Sequence, residues 1–148
     1  MGSFTQLNYH VVFATKFRNR VLAKSNQTLL YNYIGGVVRG FSGVLDCCGG
    51  IEDHIHLLVN IPAKIAVSDA IRSIKSNSSR WLNEQTWNAK DFEWQKGYGA
   101  FKVSFSQMDR VRSYIANQEV HHQRLSFQQE YINSRRRRFA LQPWLRRQ

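Results

Sequence analysis

The run from Ile51 to Asn60, centred on Asp53-His54-Ile55-His56-Leu57-Leu58-Val59, constrains this chain more than any other segment. It reads as a β-strand. Successive strand side chains point to opposite faces, so His54 and His56 share one face while Ile55 and Leu57 share the other. Two imidazoles side by side on a buried strand make a poor core. They make a good half of a metal site, because imidazole binds divalent metals and a strand holds both rings in fixed register.

The flanking sequence supplies the rest of a sheet. Leu7 to Thr15 is β-rich and apolar, a central strand, followed by a basic loop from Lys16 to Arg20. Ser25 to Phe41 has the spacing of a helix (Leu29, Leu30, Tyr33, Ile34, Val37, Val38), with Ser25 as its cap and Gly35-Gly36 allowing close packing on the sheet. Val44 to Cys48 reads as a short strand and Gly49-Gly50 as a turn or bulge. Pro62 stops the histidine strand, and a second helix spans Val67 to Glu84 on the stripe Val67, Ile71, Ile74, Trp81, Leu82. Ala100 to Ser104 is a last strand, and a third helix runs from Ser106 or Gln107 to about His122. The order β-α-β-β-α-β plus a helix is the ferredoxin-like α+β plan, with the histidine strand beside the first strand at mid-sheet. Helices then cover one face and leave the other open for a site. The length of 148 residues suits one domain, a core over about 7–125 and a basic tail over about 126–148.

Charge narrows the partner. The net charge is +11, which implies a polyanion. Lys16, Arg18 and Arg20 cluster after the first strand, Arg72, Lys75 and Arg80 recur on the second helix, and Arg135 to Arg138, Arg146 and Arg147 load the tail. Aromatics reach 13%, enough to fill a core and still offer stacking faces for unpaired bases. No apolar run is long enough to span a membrane, and Met1-Gly2-Ser3-Phe4 lacks the pattern of a secretion leader. The adjacent Cys47 and Cys48 form no disulfide framework, so a reducing cytoplasm is expected.

Two histidines do not complete a site. On the third helix Tyr114 and Gln118 are four residues apart and share a face; taken alone, such a pair is ordinary solvated surface. Taken in order with Tyr9-His10-Val11-Val12-Phe13-Ala14-Thr15-Lys16, the histidine strand, Ile74-Lys75-Ser76-Asn77-Ser78-Ser79 and Trp94-Gln95-Lys96-Gly97-Tyr98-Gly99-Ala100-Phe101, it is not ordinary. From about Tyr9 to Tyr131 the chain resembles the single-tyrosine HUH transposases, the small TnpA-type enzymes that move bacterial insertion sequences as single-stranded DNA.

That resemblance implies a set of roles. His54 and His56 are paired metal ligands, Gln118 the third, and Tyr114 the nucleophile of a covalent 5′-phosphotyrosine intermediate. The cofactor is a divalent ion, Mg²⁺ or Mn²⁺, and the DNA carries hairpin ends. The enzyme is a homodimer in which the tyrosine helix can be exchanged in trans. Lys16, Arg18, Arg20, Arg72, Lys75 and Arg80 are candidate DNA contacts. His10 would lie beside the histidine strand, as a support or DNA contact or as simple packing. Tyr98 is a rival nucleophile better suited to structure or stacking, and His121 and His122 suit helix C-terminal cations. Asp53, one residue before His54, is expected to face the other way. The tail departs from the family, whose members often end in a more acidic, aromatic segment. Two other readings fit less of the chain. One is a related HUH nicking enzyme for replication or repeat mobilisation. The other is a noncatalytic ferredoxin-like nucleic-acid-binding protein, which leaves the histidines, Tyr114 and Gln118 unexplained.

Overall fold

The computed structural model of the protein describes residues 5–88 and 91–118. The expected tail, His121, His122 and Tyr131 lie outside the described residues, and the third helix, expected to run to about His122, ends at Ala116 with Asn117 as its C-cap. Four strands, β1 (Asn8–Ala14), β2 (Val44–Ile51), β3 (His54–Asn60) and β4 (Gly99–Val103), form one antiparallel sheet in the order β2-β3-β1-β4. Helices α1 (Lys24–Gly40) and α2 (Val67–Glu84) connect them, and α3 (Met108–Ala116) follows β4 through a 3₁₀ turn over Phe105–Gln107. This is the ferredoxin-like order expected, with the histidine strand between β2 and β1.

Alternation decides what each face buries. Val11 and Phe13 of β1 and Ile55, Leu57 and Val59 of β3 point to the side on which α1 packs Leu30, Ile34 and Val38 and α2 packs Ala70, Ile71 and Ile74. Each fully buried aliphatic side chain there contributes about 1.5–3 kcal/mol. Trp94 closes one end, edge-on to Phe13 and Phe92 at 4.7 and 4.8 Å, its indole N–H donating to Ser78 Oγ at 2.9 Å. Tyr33 and Trp81 stack at 4.8 Å across the two helices. Among the described aromatics, Phe13, Phe92 and Trp94 are buried in this core and Tyr9, Tyr31, Phe41, Trp81 and Tyr98 pack against it.

The opposite face is not open. Met108, Val111 and Ile115, at helical spacing, pack α3 onto Leu58 and Val103 as a second, smaller core. Two features of β2 seat that helix. The register jumps between Leu45 and Cys47, so Asp46 is an extra, bulged residue; Leu45 then faces the large core and Cys47 the small one. Gly49 lies inside β2 rather than in a turn, and a Cβ there would fall 2.1 Å from the Ile115 carbonyl oxygen. The chain reverses instead at Glu52-Asp53.

Smaller expectations also shift. The α1 helix begins at Lys24 and its N-cap is Ala23, so Ser25 does not cap it. A Cβ on Gly35 or Gly36 would come no closer than 3.4 Å to any neighbour, so neither is required for close packing. The last strand starts at Gly99 and ends at Val103, one residue ahead of the expected span.

Candidate active site

The histidine strand delivers its two rings beneath α3. His54 and His56 are fully buried on the face shared with β1 residues His10 and Ala14. Their rings stand 5.1 Å apart at 71°. Each is anchored through Nδ1. His54 Nδ1 lies 2.8 Å from Asp53 Oδ1, and His56 Nδ1 lies 2.9 Å from His10 Nε2. Asp53 does not face away, because it sits in the β2–β3 turn where strand alternation no longer applies. Arg18 Nη2 approaches both oxygens of the same carboxylate at 3.3 Å.

These partners set the protons. Burial pushes the Asp53 carboxyl up, but its hydrogen bond to His54 and the guanidinium of Arg18 outweigh it and hold it at about 2. The carboxylate is therefore ionised and accepts from His54 Nδ1–H, and in the neutral ring that leaves the lone pair on Nε2. The 3.4 Å approach of Arg18 Nη2 to that protonated Nδ1 is a contact and not a hydrogen bond. Burial lowers His10 to about 4, so it is neutral near pH 7. A neutral His10 accepting at Nε2 lets His56 Nδ1–H donate, which likewise leaves Nε2 of His56 as the basic nitrogen. A carboxylate or another acceptor behind a ligating imidazole is the usual means of fixing its tautomer toward a metal.

Tyr114 of α3 lies over the same rings. Its ring centroid is 5.7 Å from that of His56 and 5.9 Å from that of His10, edge-on to both. One turn on, Gln118 is almost wholly buried. Its Nε2 donates to the Tyr114 carbonyl at 3.2 Å, and its Oε1 accepts no hydrogen bond among the described residues. A buried amide oxygen without a donor costs on the order of 1–3 kcal/mol. A divalent ion would satisfy it. Among the described residues no three His, Cys, Asp or Glu side chains converge as a metal cluster. Two imidazole nitrogens and an amide oxygen would make a neutral donor set for a hard divalent ion once an anionic group completed the shell. The rival Tyr98 sits elsewhere, packed against the large core.

The helix bearing Tyr114 is gripped from below. Arg112 Nε and Nη2 each donate to one oxygen of the bulged Asp46 at 2.8 Å, and Nη1 reaches Asp109 at 2.6 Å. Neither this clamp nor Gly49 was evident from the sequence, because both depend on the bulge and on where α3 lands.

The cationic candidates do not act as one patch. Arg18 is turned inward onto Asp53, only 18% of its side chain exposed. Arg20 meets Glu52 at 3.0 Å, Arg72 meets Asp69 at 3.3 Å, and Arg80 donates to Asn77 at 2.7 Å, all on the surface. Lys16 pairs with Glu93. Lys75 donates to the carbonyls of Gln95 and Gly97 at 2.7 and 2.8 Å, and its partial burial lowers its pKa.

Comparison with known proteins agrees with this architecture. The family model described as "Transposase IS200 like" matches residues 3–118. The ISDra2 transposase TnpA of Deinococcus radiodurans is 26% identical over 135 residues, covering 79% of this chain and 87% of that protein. The transposase for insertion sequence element IS200 of Salmonella typhimurium is 29% identical over 123 residues, 74% of this chain and 75% of that one. Among solved structures, a Deinococcus radiodurans transposase superposes with a TM-score of 0.60 at 24% identity, covering 80% of this chain and 95% of that chain. A REP-associated tyrosine transposase bound to a REP hairpin gives 0.62 at 17% identity, covering 82% and 74%. At those identities the two structures speak for the fold.

Proposed function

The chain belongs to the IS200-like transposase family, and from that premise we propose that it cleaves and rejoins single-stranded DNA at insertion-sequence ends with Tyr114 as nucleophile. The observation that carries this reading is the seat of Tyr114, edge-on to His56 at 5.7 Å, with buried Gln118 one turn away. In the reaction the Tyr114 oxygen attacks the scissile phosphorus and the P–O3′ bond breaks. The phenol proton is balanced by the one taken up at the leaving 3′-oxygen. The products are a 5′-phosphotyrosine link and a free 3′-OH, and attack by another 3′-OH reverses the step without ATP.

His54 Nε2, His56 Nε2 and Gln118 Oε1 would hold a divalent ion, which would supply charge withdrawal from the phosphate oxygens. The protein's own part is orientation. Asp53 and His10 fix the imidazole tautomers, and the Asp46–Arg112 clamp fixes the helix carrying Tyr114. Lys16, Arg20, Arg72, Lys75 and Arg80 contact the DNA backbone, while Arg18 braces Asp53. By likeness to the hairpin-bound relative, the DNA ends carry hairpins. The working form is a cytoplasmic homodimer in which α3 can be exchanged between subunits. Among the described residues no helix is long and apolar enough to cross a membrane.

Incubating labelled single-stranded hairpin DNA with the protein and Mn²⁺ tests the reading. A covalent adduct that disappears in Tyr114→Phe supports it. An adduct that persists in Tyr114→Phe removes the nucleophile assignment, and the absence of any adduct favours a protein that only binds nucleic acid.

A further inference from the structure

The turn that follows β1 faces two ways. Arg18 points into the histidine site, onto Asp53. Phe17, its neighbour, points outward onto a cavity of about 490 Å³, within the range of small-ligand sites, roughly 300–1,000 Å³. Lys16 and Phe17 form one wall, Lys75, Ser76 and Ser79 of α2 another, and the segment from Glu93 to Lys96 the third.

The walls are already fixed. Thr15 bridges Trp94, the Lys16 amide donates to the Glu93 carbonyl at 3.0 Å, and the Gln95 amide donates to the Ala14 carbonyl at 2.8 Å. Lys75 ties α2 to the same segment through the Gln95 and Gly97 carbonyls. Two features of Phe17 stand out, although Lys16 Nζ lies 5.5 Å from its ring centroid. Its backbone is left-handed (φ 58°) and its residue surface is 75% exposed. A bulky residue in that conformation costs on the order of 1–3 kcal/mol, and its ring recovers none of this by burial. Its amide is nonetheless pinned there, donating to Gln95 Oε1 at 3.0 Å.

A ligand for this place needs a flat apolar face for Phe17 and an anionic group for the lysines. Lys96 and Lys16, the latter ion-paired with Glu93, both line it, Ser76 and Ser79 add hydroxyls, and the remaining acceptor capacity of the Glu93 carboxylate faces ring or amino N–H groups. We infer that the cavity seats one unpaired nucleotide of the DNA strand, its base stacked on Phe17 and its phosphate on the lysines, an inference that rests on the single-stranded substrate proposed above. A paired base has no free face to offer, so the seat selects single strands, and through Arg18 the same turn lies against the metal-site histidines.

The test is fluorescence anisotropy of oligo(dT) and of a blunt duplex with the native chain, Phe17→Ala and Phe17→Tyr. Phe17 is exposed, so its truncation leaves the fold intact. Expected is a loss of roughly 5- to 100-fold in oligo(dT) affinity for F17A, the effect of one base–aromatic stack. F17Y keeps native affinity, and the duplex binds all three alike. Irradiated oligonucleotides carrying 5-iodouracil should crosslink to the peptide containing Phe17. Native oligo(dT) affinity in F17A, an equal loss on duplex, or crosslinks only to other peptides would overturn the seat. These readouts need no cleavage, so a failed Tyr114 adduct assay and a failed nucleotide seat are told apart.

Discussion

His10 Nε2 and His56 Nδ1 meet at 2.9 Å across the β1–β3 ladder, one imidazole holding the other by its far nitrogen. If His10 orients a metal ligand, His10→Ala should weaken Mn²⁺ binding by roughly 10- to 100-fold, the usual cost of losing such a partner. Titration calorimetry measures this directly. Saturating Mn²⁺ should restore most of the adduct yield, and unchanged Mn²⁺ affinity would reduce His10 to packing.

The seat of α3 leads to a second prediction. A Cβ at residue 49 would lie 2.1 Å from the Ile115 carbonyl oxygen, and backbone cannot swing aside as a side chain can. Gly49→Ala should lift the helix and misplace Tyr114 and Gln118 together, lowering the adduct rate on the order of 10²-fold and weakening Mn²⁺ binding as well. Single-turnover rates beside a metal titration measure both losses. A variant with native rates would mean that α3 is not held where its carbonyl meets β2.

The Asp46–Arg112 pair is partly exposed, 26% and 44% by side chain, so it should contribute only about 0–1 kcal/mol to stability. Its effect on activity should be larger. Arg112→Met is expected to shift the melting temperature little and to slow adduct formation, and Asp46→Asn to do the same without additivity in the double variant. Additive rate losses would mean the two side chains act separately.

Acid should destabilise the metal-free chain in two steps. Folded His10 resists protonation until about pH 4, against 6.5 ordinarily. As pH falls from 6.5 to about 4 the unfolded chain therefore takes up a proton the native one refuses, and stability drops by up to about 1.4 kcal/mol per pH unit. Asp53 acts lower. Its carboxyl stays ionised to about 2 against 3.8, so the stability it contributes above 3.8 is lost as pH falls through about 2. Melting temperatures across this range should show the upper step vanish in His10→Asn. A step that persists in that variant would assign it to another group.

Period explains what could be read beforehand. The two-residue alternation around His54 and His56 and the four-residue spacing of Tyr114 and Gln118 survive folding, so those faces were legible in the letters. Alternation stops at a turn, so it misleads at Asp53, and Gly49-Gly50, which read as a turn or bulge, lie inside β2. Asp46 and Arg112 are 66 residues apart, and no local pattern joins them. Phe17 carries a left-handed backbone without the glycine that would have marked it. The face expected to be open is roofed by α3, since Met108, Val111 and Ile115 need a surface of their own.

The central position of β3, bonded to β2 on one side and β1 on the other, makes the histidine pair indivisible. A one-residue insertion in that strand would turn both rings into the large core together, and no partial version of the site survives it. The roofing helix follows the edge strand β4 and the Phe17 turn follows the end of β1, both outside the ladders that fix the pair, and each can be rebuilt singly. A lineage of such proteins is therefore free to rebuild those parts one at a time, while the two imidazoles are kept or lost in one stroke.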